Sequence, residues 1–148
     1  RADSETSFVH EMRHAEADHD GTSANVQTQT RADYIDTQLR EDANAERRRY
    51  EAQDEMNAAG GTPVVDNSST RPTFVAARDA ERARLQAAEP GISEAELTRR
   101  SNDAGEAAIL QDYRNGNINT GNTNPPQSYV DYWGQDYDNR HTPAPAGP

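Results

Sequence analysis

His10-Glu11-Met12-Arg13-His14 sets two imidazoles four residues apart, with a carboxylate beside the first. On a helix, positions i and i+4 share a face, so both rings can reach one metal ion. Zinc suits such a set, which offers two neutral imidazoles, room for one carboxylate and an open position for water. The ion lowers the pKa of that water and polarises a carbonyl. Glu11 is placed to take a proton from the water and later pass it to a leaving amine. The expected chemistry is zinc-dependent hydrolysis of a peptide bond, with His10 and His14 on the metal and Glu11 as general base.

Two histidines and a water do not make a tight site, so a third protein ligand is required. His19 and Asp20 are the local options. Asp20 lies ten residues after His10, as in the longer outline HExxHxxGxxH/D of the metzincins, but Ala17 stands where that outline has its turn-forming Gly. The stretch Glu41-Asp42-Ala43-Asn44-Ala45-Glu46 offers the better option. With Leu39 as origin and about 100° per residue, Asp42 falls near roughly −60° and Glu46 near roughly −20°, on the apolar face, while Glu41 falls near roughly 200°. A carboxylate on an apolar face is costly unless it is paired or bound to a metal. Asp42 and Glu46 are therefore the inward acids, one as ligand and one as acceptor for a histidine N–H. The competing expectation pairs them with Arg13, Arg47 or Arg49 at the surface.

These residues need helices to position them. Residues 5–19 read as a helix capped by Ser4 or Ser7, with Phe8 and Val9 packing inward and Asp20-Gly21 as its stop. Residues 31–58 carry Ile35, Leu39, Ala43 and Tyr50 on one face and end at Gly60-Gly61. Residues 60–72 form a loop with at most a short strand at Val64-Val65. A third helix covers 73–89 and stops at Pro90-Gly91. A fourth covers 93–114, opened by the Ser93/Glu96 capping box and weakened in its middle by Gly105. Residues 115–127 are a low-complexity loop. Residues 128–138 hold three of the six tyrosines and the only tryptophan, and are expected to form a hydrophobic patch that docks the C-terminus, the alternative being a substrate or partner contact. The last eight residues are expected to be disordered. The fold class is mainly α with little or no sheet: a helical core over 1–114, then loop, Tyr/Trp segment and tail over 115–148.

Composition sets bounds. The chain has 148 residues, a net charge of −11 and 32% hydrophobic residues, which suits one domain with a modest core. The negative charge argues against nucleic acid as a partner, and Arg47-Arg48-Arg49 reads as a solvated run among acids. No apolar run is long enough to span a membrane. Cysteine is absent, which excludes thiolate sites and a Cys nucleophile. All 15 basic residues are arginine, which fits a GC-rich coding sequence or a toxin that avoids lysine-directed tagging. A first residue of Arg1 suggests a processed piece, an excised domain or an incomplete chain.

On these residues the sequence resembles a gluzincin-type zinc metallopeptidase. In that group a carboxylate on a later helix completes H-E-x-x-H, often within E-x-x-A-[DE]. Asp42-Ala43-Asn44-Ala45-Glu46 is similar, with Asp where Glu is usual. The resemblance implies Asp42 as third ligand, and the shorter reach of Asp keeps Glu46 and Glu41 as alternatives. Residues 8–16 further resemble metallopeptidase domains of bacterial secreted effectors and polymorphic toxins of type VI or type III secretion. That implies a protein or peptide substrate, a cognate immunity protein or a secretion and delivery module as partners, and secretion by bacteria to act in a target cell. Zincins place a small sheet ahead of the motif helix, yet nine residues precede His10. The sheet is then expected from a segment outside this chain, from downstream, or not at all. Zincins also use a Tyr, His or Arg to stabilise the oxyanion, and Tyr34, Tyr50, Tyr113, Tyr129, Tyr132, Tyr137 and His141 are all candidates. The alternative to an enzyme is an acidic helical interaction or structural module of a larger assembly; a peptidase fold with a decayed site stands between the two.

Overall fold

A computed structural model describes residues 2–143 except Asp20, Thr22, Val65 and Asn122, with residues 2–6 described as helical backbone only. The described residues form five helices: α1 (Ala2–His19), α2 (Arg31–Ala58), α3 (Arg71–Ala88), α4 (Glu94–Arg114) and α5 (Tyr129–Arg140). No strand occurs among the described residues, and Asn119 and Ser128 form a single antiparallel bridge. The mainly α class therefore holds, and the described downstream residues supply no sheet.

The helix starts are explained by side-chain caps. Thr30, Ser93 and Ser128 each accept a hydrogen bond from the backbone N–H three residues on, at Asp33, Glu96 and Asp131. Ser128 thus opens a true helix where the sequence suggested only an aromatic patch. Thr70 precedes α3 but makes no such bond, because its Oγ1 is engaged by the Tyr50 hydroxyl. The Pro72 ring instead pre-sets the first turn. α1 starts earlier than the capping residues implied, so Ser4 and Ser7 lie inside it. Gly60 follows α2 at φ +82°, a conformation that side chains resist.

α2 is the central helix, packed by α1, α4 and α5, while α3 and α4 form an antiparallel pair. The main core joins Leu39, Ala43 and Tyr50 of α2 to Phe74, Ile109, Tyr113 and Ile118. Gly105 sets the α3–α4 approach: a Cβ there would lie 2.5 Å from the Phe74 ring. Its cost to the helix is offset by that contact. A second cluster joins Val26, Tyr34 and Tyr137, with Trp133 packed against both. Among the described residues, neither cluster contains a residue of α1. Phe8, expected to pack inward, is 64% exposed, and Met12 is 46% exposed. Val64 is not in a strand, and Val65 lies outside the described residues. The tail is described to Pro143, and His141 docks by its Nδ1 to the Val26 carbonyl at 2.7 Å. The remaining tail residues, 144–148, lie outside the described residues. No described helix is long and apolar enough to cross a membrane.

Candidate metal centre

Phe8, Met12 and Ala15 of α1 are exposed, Val9 is half-buried and Ala17 is buried, and most of the contact with α2 is made by polar groups. His10 and His14, one turn apart, both face α2, and their Nε2 atoms lie 3.1 Å from each other. Asp42 presents Oδ1 at 3.6 Å from His14 Nε2. One ligand atom from each of His10, His14 and Asp42 falls within 4.8 Å of the others. The three groups thus converge from two helices on one point.

Each imidazole has a carboxylate behind it, and His14 is hydrogen-bonded to its own. His14 Nδ1 lies 2.5 Å from Glu41 Oε1. A hydrogen bond there puts the proton on Nδ1 and leaves the Nε2 lone pair facing inward. His10 Nδ1 faces Glu46 Oε1 at 3.5 Å and makes no hydrogen bond. The two Nε2 atoms, 3.1 Å apart beside a carboxylate, repel unless a cation or a proton sits between them. Carboxylates behind metal-bound histidines are a common orienting device.

Burial makes the cluster electrostatically expensive. Asp42 is only 7% exposed. Its pKa is pushed up to about 6, first by desolvation and then by Glu41 and Glu46, against the indole hydrogen bond and His14. Desolvation also raises Glu46. His10 is pushed down to about 4 by burial, by His14 and by Arg49, with Glu11 acting the other way. His10 is therefore neutral near neutral pH, as a ligand must be. Three acids on little more than one turn of α2, with Arg49 3.9 Å from Glu46, leave an excess of negative charge that a divalent cation would offset.

The surface-pairing expectation is met only in part. Arg13 reaches Asn44 at 2.5 Å and Glu16 at 3.9 Å. Arg47 is not part of a solvated run: it pairs with Glu51 within α2 and bridges to Asp103 and Glu106 of α4. Arg49 lies between Glu46 and Asp66, and Arg48 alone of the three is exposed. Glu41, placed by helix phase on the far side, sits against His14 instead. The phase argument assumed one buried face, and α2 is covered on several.

The other candidates divide clearly. Glu11 is exposed on α1, and His19 is exposed at its last residue. Asp20 lies outside the described residues. Among the oxyanion candidates, Tyr34 donates to Asp136 at 2.5 Å and Tyr137 donates to the Gln29 carbonyl at 3.0 Å. The Tyr50 hydroxyl is held with Ser68 at 2.7 Å, His141 is held by Val26, and Tyr132 is partly exposed. The Tyr113 and Tyr129 rings meet at 4.4 Å, tilted 34° to each other. Both have raised pKa values, chiefly from burial and in part from the charges on Asp42 and Glu46. A cavity of about 370 Å³ opens beside Glu41, lined also by Arg13, Thr37, Arg40, Asn44, Glu106 and Leu110. Sequence reasoning missed Trp133, whose indole N–H donates to Asp42 Oδ2 at 2.9 Å. No periodicity could link residues 91 positions apart.

No family model, curated protein or solved structure matches this chain.

Proposed function

We propose that His10, His14 and Asp42 hold one zinc ion and that the chain is a zinc-dependent endopeptidase with Glu11 as general base. The observation that carries the reading is the convergence of two imidazole Nε2 atoms and one carboxylate oxygen from two helices. The histidine backing by Glu41 and Glu46 supports it, as does the low pKa of His10. When bound, the ion supplies Lewis acidity to the carbonyl under attack. Glu11 takes a proton from the attacking water and delivers it to the amine as the C–N bond breaks. Glu41 holds the His14 ring, and Glu46 faces the His10 ring. The zincin-like architecture and the bacterial effector or toxin role rest on residues 8–16 and 41–46.

The test is metal content and cleavage measured together. Wild type is expected to carry about one zinc per chain, and His10→Ala, His14→Ala and Asp42→Ala to lose it. Glu11→Ala is expected to keep zinc and lose cleavage of a mixed peptide pool by about a hundredfold or more. A native protein that stays metal-free in added zinc overturns the site. Undiminished cleavage by Glu11→Ala overturns the mechanism.

A second reading is favoured by the absence of α1 from both apolar clusters and by the exposure of Glu11. In it the chain is an acidic helical interaction module, and the cation staples α1 to α2. Zinc then binds and orders α1, while no cleavage accompanies it.

A further inference from the structure

We propose that Trp133 is a positioning residue for the metal centre, fixing Asp42 so that only Oδ1 is presented to the cation. The inference rests on the metal-site reading above but not on peptidase activity.

Asp42 is buried and has two oxygens with different surroundings. Oδ2 accepts the indole N–H of Trp133 at 2.9 Å, and Oδ1 faces His14 Nε2 at 3.6 Å. A carboxylate free to rotate can bind a cation through one oxygen or both. A hydrogen bond to one oxygen occupies a lone pair and fixes the plane of the group. The indole nitrogen is well suited to this task because it only donates, does not titrate and does not compete for the metal. The neighbouring carboxylates are tied in a different way, Glu41 to His14 and Glu46 toward His10. Asp42 is thus the one acid of the three whose restraint comes from outside the two motif helices.

The indole itself is held rigidly. Its ring meets Tyr132 at 4.9 Å and Tyr34 at 6.5 Å, both edge-to-face. It packs against both apolar clusters. α5 is fixed at its start by the Ser128 cap, and farther along Arg31 pairs with Asp138 at 2.9 Å. The C-terminal helix therefore contributes a hydrogen bond to a site whose ligands all lie in α1 and α2. Outer hydrogen bonds of this kind alter metal affinity by about 10- to 100-fold.

The experiment uses the full chain, zinc competition against a chelator, and the visible spectrum of the cobalt-loaded protein. Trp133 is the only tryptophan, so replacing all tryptophan with its benzothiophene analogue removes that single N–H and keeps the ring shape. Trp133→Phe is the genetic counterpart. Both are expected to weaken zinc binding about 10- to 100-fold at unchanged stoichiometry. Both should also shift the cobalt ligand-field bands as Asp42 relaxes toward two-oxygen binding. A purely structural role for the indole would lower thermal stability without moving the bands. Should wild type and Asp42→Ala both fail to bind zinc, the metal-site reading itself falls. If wild type binds, Asp42→Ala does not, and the analogue protein matches wild type in affinity and spectrum, the positioning role alone is overturned.

Discussion

Where α2 meets α3 and α4, Leu39, Ala43 and Tyr50 are sealed against Phe74, Ile109 and Tyr113. Where α2 meets α1, the contacts are His14 to Glu41 and Asp42, His10 to Glu46, and Arg13 to Asn44. The first contact gains from apolar burial, which is non-directional and indifferent to pH. The second buries groups whose charged forms are penalised, so its strength depends on what neutralises them. Helices in proteins draw most of their stability from packing rather than from propensity, and the packing of α1 on α2 is largely polar. The comparison assigns stability to one side of α2 and ligand-dependent order to the other.

The largest test breaks the apolar side. Phe74 is fully buried against Gly105 and Tyr50, so Phe74→Ala should cost about 3–5 kcal/mol. Denaturant unfolding should give that loss with or without zinc. Zinc at about a thousand times its dissociation constant should then add about 4 kcal/mol to wild type and nothing to His10→Ala. Hydrogen exchange should show the added protection in α1 first. Equal protection across α1 and α4 before zinc is added would remove the distinction between the two sides.

A smaller effect comes from pH. In the metal-free protein His10 is held near 4, below its ordinary 6.5, so its contribution to stability is lost as pH falls across that window. Asp42 is held near 6, above its ordinary 3.8, so its contribution is lost as pH rises through 6 and regained on acidification. The two oppose each other, and metal-free stability should vary little between about pH 4 and about pH 6. Zinc affinity should instead fall steeply below about pH 6, because Asp42 must ionise to bind. Chelator competition across that range checks the sign. The smallest effect belongs to the outer face of α1: Phe8→Glu should change stability by no more than about 0.5 kcal/mol, measured by thermal unfolding.

Local signals proved legible where one chain segment decides its own conformation. The bounds of α2, the Ser93 cap of α4 and the loop character of 115–127 follow from capping chemistry and turn residues a few positions apart. The one-turn spacing of His10 and His14 placed both rings on one face for the same reason. The helix at 129–140 was hidden because aromatic content outweighed the modest cap signal of Ser128. Glu41 was assigned to the wrong side because a helix with partners all round has no single inward face.

The sequence alone determined that two imidazoles share a helix face, that acids one turn apart follow on a second helix, and that the chain is mainly helical. These are consequences of the 3.6-residue period and of side chains bonding their own backbone. Only the tertiary structure decided that α1 lies on α2 by its histidines, with Phe8 and Met12 left outside, and that Trp133 reaches Asp42. Those outcomes depend on which surfaces remain after α3, α4 and α5 have covered the apolar parts of α2. That is a property of the whole packed chain, which no window of neighbouring residues carries.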